Sequence, residues 1–195
     1  MTRVPTTPDE FFGSYLAESF APLRARLGNL SSPGAVVFRI GERPPLAVRI
    51  SNGALQCSPE APGDTIVQIS LAEADFAPVL VRGAEQLAQH SGDPDRQLAV
   101  LRALTLESDR IELIRKVKGS VAFVLVAPQG EHRITLTPGS QSVNLTAAEC
   151  TVRCSLADFL AMQGGAANPV ELMMNGKLQI SGDAQIPMAL SSLLM

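Results

Sequence analysis

The chain echoes itself. Gly34-Ala35-Val36-Val37-Phe38-Arg39-Ile40 returns 85 residues later as Gly119-Ser120-Val121-Ala122-Phe123-Val124-Leu125, and Val67-Gln68-Ile69-Ser70-Leu71 returns at the same offset as Val152-Arg153-Cys154-Ser155-Leu156. After a two-residue slip, Ala74-Asp75-Phe76 matches Ala157-Asp158-Phe159. Asp93-Pro94 matches Asn168-Pro169, and the segment Leu104 to Asp109 matches Leu178 to Asp183. The blocks keep their order, and the gaps fall where loops belong. We read a tandem of two related units, residues 1–117 and 118–195, with no Gly/Ser- or Pro-rich linker between them. Units this short are expected to pack on each other rather than fold alone.

The second unit reads clearly. Ser120 to Val126 is β-rich and apolar on both faces, as in a covered or central strand. Arg133 to Thr137 alternates, Pro138-Gly139 supplies a turn, and Val143 with Leu145 marks a third short strand. Cys150, Val152 and Cys154 share one face of the next strand. Ser155 with Asp158 approximates a capping box for a helix carrying Leu156, Phe159, Leu160 and Met162, which Gly164-Gly165 ends. Asn168-Pro169 opens a short helix with Leu172, Met173 and Met174. A last strand, Lys177 to Ser181, leads to a helix capped by Asp183, with Ile186, Leu190, Leu193 and Leu194 on one side.

The first unit reads the same way, with a leading helix over Pro8 to Leu27 and an insert over Ala84 to Gly92. Phe12, Leu16, Phe20 and Leu23 line that leading helix. The second unit starts directly from the helix Asp109 to Val117, so the two share a helical joint. Strands followed by helices indicate an α+β fold, each unit a mainly antiparallel sheet covered by helices on one face.

Composition narrows the function. Sixteen basic against nineteen acidic residues leave a formal net charge of −3 with no basic stripe, which argues against nucleic acid. Val121 to Ala127 is the longest apolar run, and seven residues cannot span a bilayer that needs about 20 in a helix. Met1 to Glu10 lacks an apolar stretch, so no secretory signal is read, and the expected location is cytoplasmic. Cys57, Cys150 and Cys154 form no C-x-x-C pair and read as small buried hydrophobes in a reducing compartment. His90 and His132 are isolated and read as surface residues; with the dispersed cysteines they make no metal spacing, and no metal or cofactor is expected. Asp75 and Asp158 read as first-turn helix acids, Asp109 and Asp183 as caps. No G-x-S-x-G, G-x-G-x-x-G or P-loop motif occurs, so no enzyme activity is expected.

Asp158-Phe159-Leu160, Asn168-Pro169, Gly176-Lys177-Leu178, Gly182-Asp183 and Met188-Ala189-Leu190 stand in order over the last 45 residues or so. This series resembles the sterol carrier protein domain family. Pro187 departs from its pattern, and the first unit is degenerate, with Arg102-Ala103-Leu104 in place of Gly-Lys-Leu. The resemblance implies two tandem sterol-carrier-like units of five-stranded type, an apolar cavity between sheet and helices, and non-enzymatic binding of a sterol, acyl chain or other lipid. It also implies three further roles: accessory factor in quinone-lipid synthesis, homodimerisation module, or partner of a lipid enzyme.

Five of the six methionines, Met162, Met173, Met174, Met188 and Met195, fall in the last 34 residues. Methionine adapts to an irregular or exchanging apolar partner, but it also fills ordinary cores. The candidate lipid lining is Phe123, Val152, Phe159, Met162, Leu172, Met173, Met174, Leu178, Met188 and Leu190. Lys177 is a candidate for a lipid headgroup or simply a solvated strand residue. A rival reading is a structural or interaction module whose halves fill each other's cavities.

Overall fold

Alternating apolar residues form eight strands: β1 (Ala35–Ile40), β2 (Leu46–Ser51), β3 (Ala54–Ser58), β4 (Thr65–Leu71), β5 (Val121–Ala127), β6 (Gly130–Pro138), β7 (Cys150–Ser155) and β8 (Gln179–Gly182). In this computed structural model, which describes residues 3–59, 63–89, 93–143 and 147–194, they make one sheet in the order β3-β2-β1-β4-β6-β5-β7-β8. The β2–β3 hairpin turns at Asn52-Gly53, both at positive φ (49° and 72°), the conformation that a two-residue turn matched to strand twist requires.

Each half builds a trio of the same kind. β1 lies between its antiparallel hairpin partner β2 and the parallel strand β4; β5 lies between antiparallel β6 and parallel β7. Phe38 is level with Ile69, and Phe123 with Val152, so the flanking strands correspond at an offset of 83 rather than 85. Asp75-Phe76 and Asp158-Phe159 share that offset. The two-residue slip therefore falls before β4 and β7, not after them. The halves meet where β4 pairs antiparallel with β6, from Val67↔Pro138 to Leu71↔Ile134.

The sheet has two unlike faces. Val36, Phe38, Ile40, Val67, Leu71, Val121, Leu125, Ile134, Cys150, Val152 and Cys154 point to one; Phe38 packs half-buried against the main apolar core and the others belong to it. Phe12 stacks on Phe38 at 4.9 Å and Phe159 on Phe123 at 5.5 Å, which puts the N-terminal helical run and α4 (defined below) on that face. The other face carries small or polar side chains: Ala35, Val37 and Ala47 form a separate apolar patch beside buried Gln68, Ser70, Thr135 and Thr137.

The main helices are α1 (Arg82–Gln89), α2 (Pro94–Val100), α3 (Ser108–Lys116), α4 (Leu156–Gln163), α5 (Pro169–Met174) and α6 (Gln185–Leu194). The expected helix over residues 8–27 is helical but interrupted. A π-turn at Phe11–Tyr15 buries Phe11, Phe12 and Tyr15 together, and a 3₁₀ turn at Ala21–Leu23 accommodates Pro22, which has no N–H to donate. Leu16 is only half-buried there. Pro78 sits in a second π-turn, Phe76–Val81, for the same reason.

Three further expectations about strands and caps differ from the structure. The segment matched to β8 in the first half is a 3₁₀ turn, Arg102–Thr105, not a strand. Asp109 lies inside α3, whose N-cap is Glu107 without a side-chain cap. No strand forms at Val143; Leu145, like His90, the end of the Ala84–Gly92 insert and Met195, lies outside the described residues.

Phe76 is 1% exposed and meets Phe11 edge-on at 5.5 Å. Phe76→Ala is expected to cost about 3–5 kcal/mol in urea unfolding. Because the halves share a sheet, far-UV circular dichroism and fluorescence of Tyr15, the sole tyrosine, are expected to shift together. Separate transitions would contradict this.

Candidate functional site

The second half places its apolar helices against β5 and β7 through well-defined caps. Ser155 Oγ accepts the Asp158 amide at 2.9 Å and donates to Asp158 Oδ2 at 2.6 Å. The shorter aspartate thus meets the hydroxyl rather than reaching the backbone amide as a glutamate would. Gly164 and Gly165 follow, Gly165 at φ 70°. Asn168 Oδ1 accepts the Val170 amide at 2.8 Å, with Pro169 at the first helical position. Asp183 Oδ1 accepts the Gln185 amide at 2.9 Å.

These caps aim one set of side chains inward. Val152, Phe159, Leu172, Leu178 and Leu190 are buried, and Phe123 and Met162 pack half-buried against the same core. The remaining three candidates point outward: Met173, Met174 and Met188 are 45%, 83% and 60% exposed, and Val170 beside them is 58% exposed. The ten residues therefore divide into an apolar interior of seven and a greasy exterior of three on α5 and α6.

Other groups take structural positions. His132 is not a surface residue: its side chain is 14% exposed, and its Nδ1 lies 2.9 Å from Asp75 Oδ1. Asp75 Oδ2 also accepts the Arg133 amide at 3.1 Å, tying the first half's helical turn to β6. Burial pushes the thiols of Cys57 and Cys154 up to about 11 and raises that of Cys150. Such thiols stay protonated near neutrality and are poor nucleophiles or metal ligands. Among the described residues no group of three His, Cys, Asp or Glu side chains could hold a metal.

Two clefts open on the sheet's other face. One, about 160 Å³, is lined by Val126, Arg153, Cys154, Ser155, Lys177 and Gln179. Arg153 is ion-paired with Glu131 there. Lys177 is exposed and precedes β8, which begins at Gln179 and not at Lys177 as expected. The second, about 390 Å³, lies near the β4–β6 seam against the loop that follows β6. Sequence reasoning missed it, because Gln68 and Ser70 alternate with apolar neighbours and look like solvent-facing positions.

The SCP-2 sterol transfer family matches residues 100–195, a span that takes in α3 as well as all of the second half. Sterol carrier protein 2 from Rattus norvegicus is 33% identical over 95 residues, and that from Homo sapiens 32%. Each alignment covers 45% of this chain and 17% of the relative, so the chain spans about one sixth of the length of these curated relatives. Among solved structures, the sterol carrier protein domain 2 of Helicoverpa armigera aligns with a TM-score of 0.37 and 24% identity, over 50% of this chain and 83% of that one. The apo form of sterol carrier protein 2 from Yarrowia lipolytica aligns with a TM-score of 0.34 and 23% identity, over 45% and 74%. No helix among the described residues is long and apolar enough to cross a membrane.

Raised thiol pKa values together with burial give a direct check. At pH 8, Cys150 and Cys154 of the native protein are expected to resist iodoacetamide over hours and to react fully in denaturant, as read by intact-mass spectrometry. Rapid native labelling would show that α4 does not cover β7.

Proposed function

Residues 100–195 carry an SCP-2 sterol transfer family domain, and from that premise we propose that the protein binds a hydrophobic lipid between the sheet and the helices of its second half. The ligand class is a fatty acyl, sterol-like or isoprenoid chain. The observation that carries the reading is the coincidence of the family match with the seven-residue apolar interior beneath α4 to α6. Phe123, Val152, Phe159, Met162, Leu172, Leu178 and Leu190 would line the chain. Burying a methylene is worth about 0.8 kcal/mol, so a long acyl chain offers roughly 10 kcal/mol before ordering costs, enough for micromolar affinity.

Met173, Met174 and Met188, with Val170, would meet the lipid surface from which the guest is taken. They account for four of the eight large apolar side chains that stand exposed among the described residues. Flexible methionines suit such a transient apolar contact. Helices α5 and α6 are therefore the proposed entry side. The protein acts in this reading as a carrier without chemistry of its own, in the cytoplasm, delivering to a lipid enzyme or acting as a homodimer. The matching trios β2-β1-β4 and β6-β5-β7 support the further proposal that residues 1–117 and 118–195 descend from one duplicated unit.

A second reading has its own observation. Val152, Phe159, Leu172, Leu178 and Leu190 are each at most 7% exposed and already touch one shared core. A filled interior of this kind would make the chain an interaction module that holds no guest.

Titration with a fluorescent stearate separates the two. The carrier reading expects saturable one-to-one binding in the micromolar range. It also expects the triple variant Met173→Ser, Met174→Ser, Met188→Ser to take stearate from phosphatidylcholine vesicles at least about fivefold more slowly, since each exposed thioether contributes on the order of 1 kcal/mol at the lipid surface. Absence of saturable binding would favour the filled module.

A further inference from the structure

Four side-chain atoms among the described residues are buried with no hydrogen-bond partner: Ser70 Oγ, Arg133 Nε, Thr135 Oγ1 and Thr137 Oγ1. All four belong to β4 or β6, and all point to the face away from the main core. The register makes this a compact group. Arg39, Ser70 and Thr135 stand level across β1, β4 and β6, and Val37, Gln68 and Thr137 form the next row. Unpaired buried polar groups are rare in folded proteins and costly, on the order of 1–3 kcal/mol each. Their confinement to one place at the junction of the two halves calls for a cause, and such exceptions concentrate at functional sites.

Of this group, Ser70 lines the cleft of about 390 Å³ described above, while Arg133, Thr135 and Thr137 lie beside it on β6. Ser70, itself 1% exposed, lines it together with Arg39, Arg43, Ser140, Gln141 and Ser142. Its volume falls in the range of small-molecule sites, about 300–1,000 Å³. Its walls are donors rather than hydrocarbon. Arg43 is occupied: it binds Asp9 through Nη1 at 2.8 Å and Glu73 through Nε at 3.0 Å. Arg39 is different. Its Nε donates to Gln68 Oε1 at 2.7 Å, which fixes the guanidinium, and no carboxylate is recorded against its two remaining nitrogens among the described residues. Gln68 in turn donates to the carbonyls of Gly139 and Gln141 at 3.0 and 2.7 Å, pinning the loop that forms the opposite wall.

We propose that this cleft at the β4–β6 junction is a binding site for a phosphate group, held by the terminal guanidinium nitrogens of Arg39 and the hydroxyl of Ser70. Ser140 and Ser142, both exposed on the loop, complete the rim. An oxyanion presents only acceptors, and among the described residues the cleft presents the two terminal guanidinium nitrogens of Arg39 and the hydroxyl of Ser70 without recorded partners, so each supplies what the other lacks. Arg39 and Ser70 come from the first half and the rim serines from the second, so the site exists only in the joined sheet. It lies on the opposite face from the lipid interior and does not rest on that reading.

The test uses the full chain. Inorganic phosphate and glycerol 3-phosphate are titrated while amide resonances of Ser70, Arg39 and Ser140 are followed by NMR. Vesicles of phosphatidylcholine with and without phosphatidic acid are tested in parallel by sedimentation. Saturable shifts with either soluble probe identify a small free ligand, and binding confined to phosphatidic acid vesicles identifies a lipid headgroup; both support the site. In either case Arg39→Gln is expected to weaken binding at least about tenfold, since charge-assisted bonds are the strong ones, while Arg153→Gln on the same face leaves it unchanged. Arg39→Lys, which keeps the charge and loses the fork, is expected to fall between.

Ser70→Ala gives the sharpest sign. Removing an orphan hydroxyl is expected to raise Tm by about 2–4 °C while weakening the anion at least fivefold, so loss of binding cannot be blamed on loss of folding. No saturable response to any of the three probes, or binding indifferent to both Arg39→Gln and Ser70→Ala, would overturn the proposal.

Discussion

Strand β4 pairs with β6, and the rest of the molecule depends on that one ladder. Five residues on each side, Val67 to Leu71 against Pro138 to Ile134, turn two short sets of strands into a single eight-stranded sheet. An unpaired strand edge exposes a row of backbone donors and acceptors, and this ladder removes one such edge from each half. It also decides what cannot form. In the second half the segment after Leu178 becomes β8 and pairs with β7. The matching segment of the first half would need the slot beside β4, which β6 already fills. Arg102–Thr105 accordingly coils into a 3₁₀ turn, and Leu104 is buried as part of the core instead of sitting in a strand.

Joining the halves divides the labour between two faces. Branched and aromatic side chains gather on one and draw down the capped helices α4, α5 and α6, which is where the SCP-2 sterol transfer family match falls. Alanines and short polar residues occupy the other. Ala35, Val37 and Ala47 pack there as a small patch of their own, and the Gln68 amide holds the start of the loop after β6 through the carbonyls of Gly139 and Gln141. The orphan hydroxyls of Ser70, Thr135 and Thr137 follow from the same ladder, because β4 and β6 each bring polar positions to the junction. The lipid guest proposed for one face and the anion proposed for the other would have a single scaffold serve two chemistries.

Much of this was readable from residues alone. Alternation in Cys150-Thr151-Val152-Arg153-Cys154 gave the buried face of β7. Ser155 with Asp158, Asn168 with Pro169, and Asp183 mark helix starts because capping is a local interaction that needs no tertiary context. What escaped was non-local. The continuation of one sheet across both halves depends on which edges meet, and periodicity says nothing about that. Sequence alone puts the alignment slip after β4 and β7, because a two-residue shift leaves every strand residue on the same face. His132 is buried by its contact with Asp75, 57 positions away, which no local pattern signals. Gln68 and Ser70 looked solvated because alternation reports which residues share a face, not what covers it.

Native mass spectrometry of the full chain, purified without detergent and then incubated with palmitate-containing vesicles, reads the central claim most directly. The account expects a population of chains carrying one palmitate, displaced by a competing acyl chain. A spectrum showing only the bare chain at palmitate concentrations well above micromolar would contradict it and leave a solidly packed interaction module.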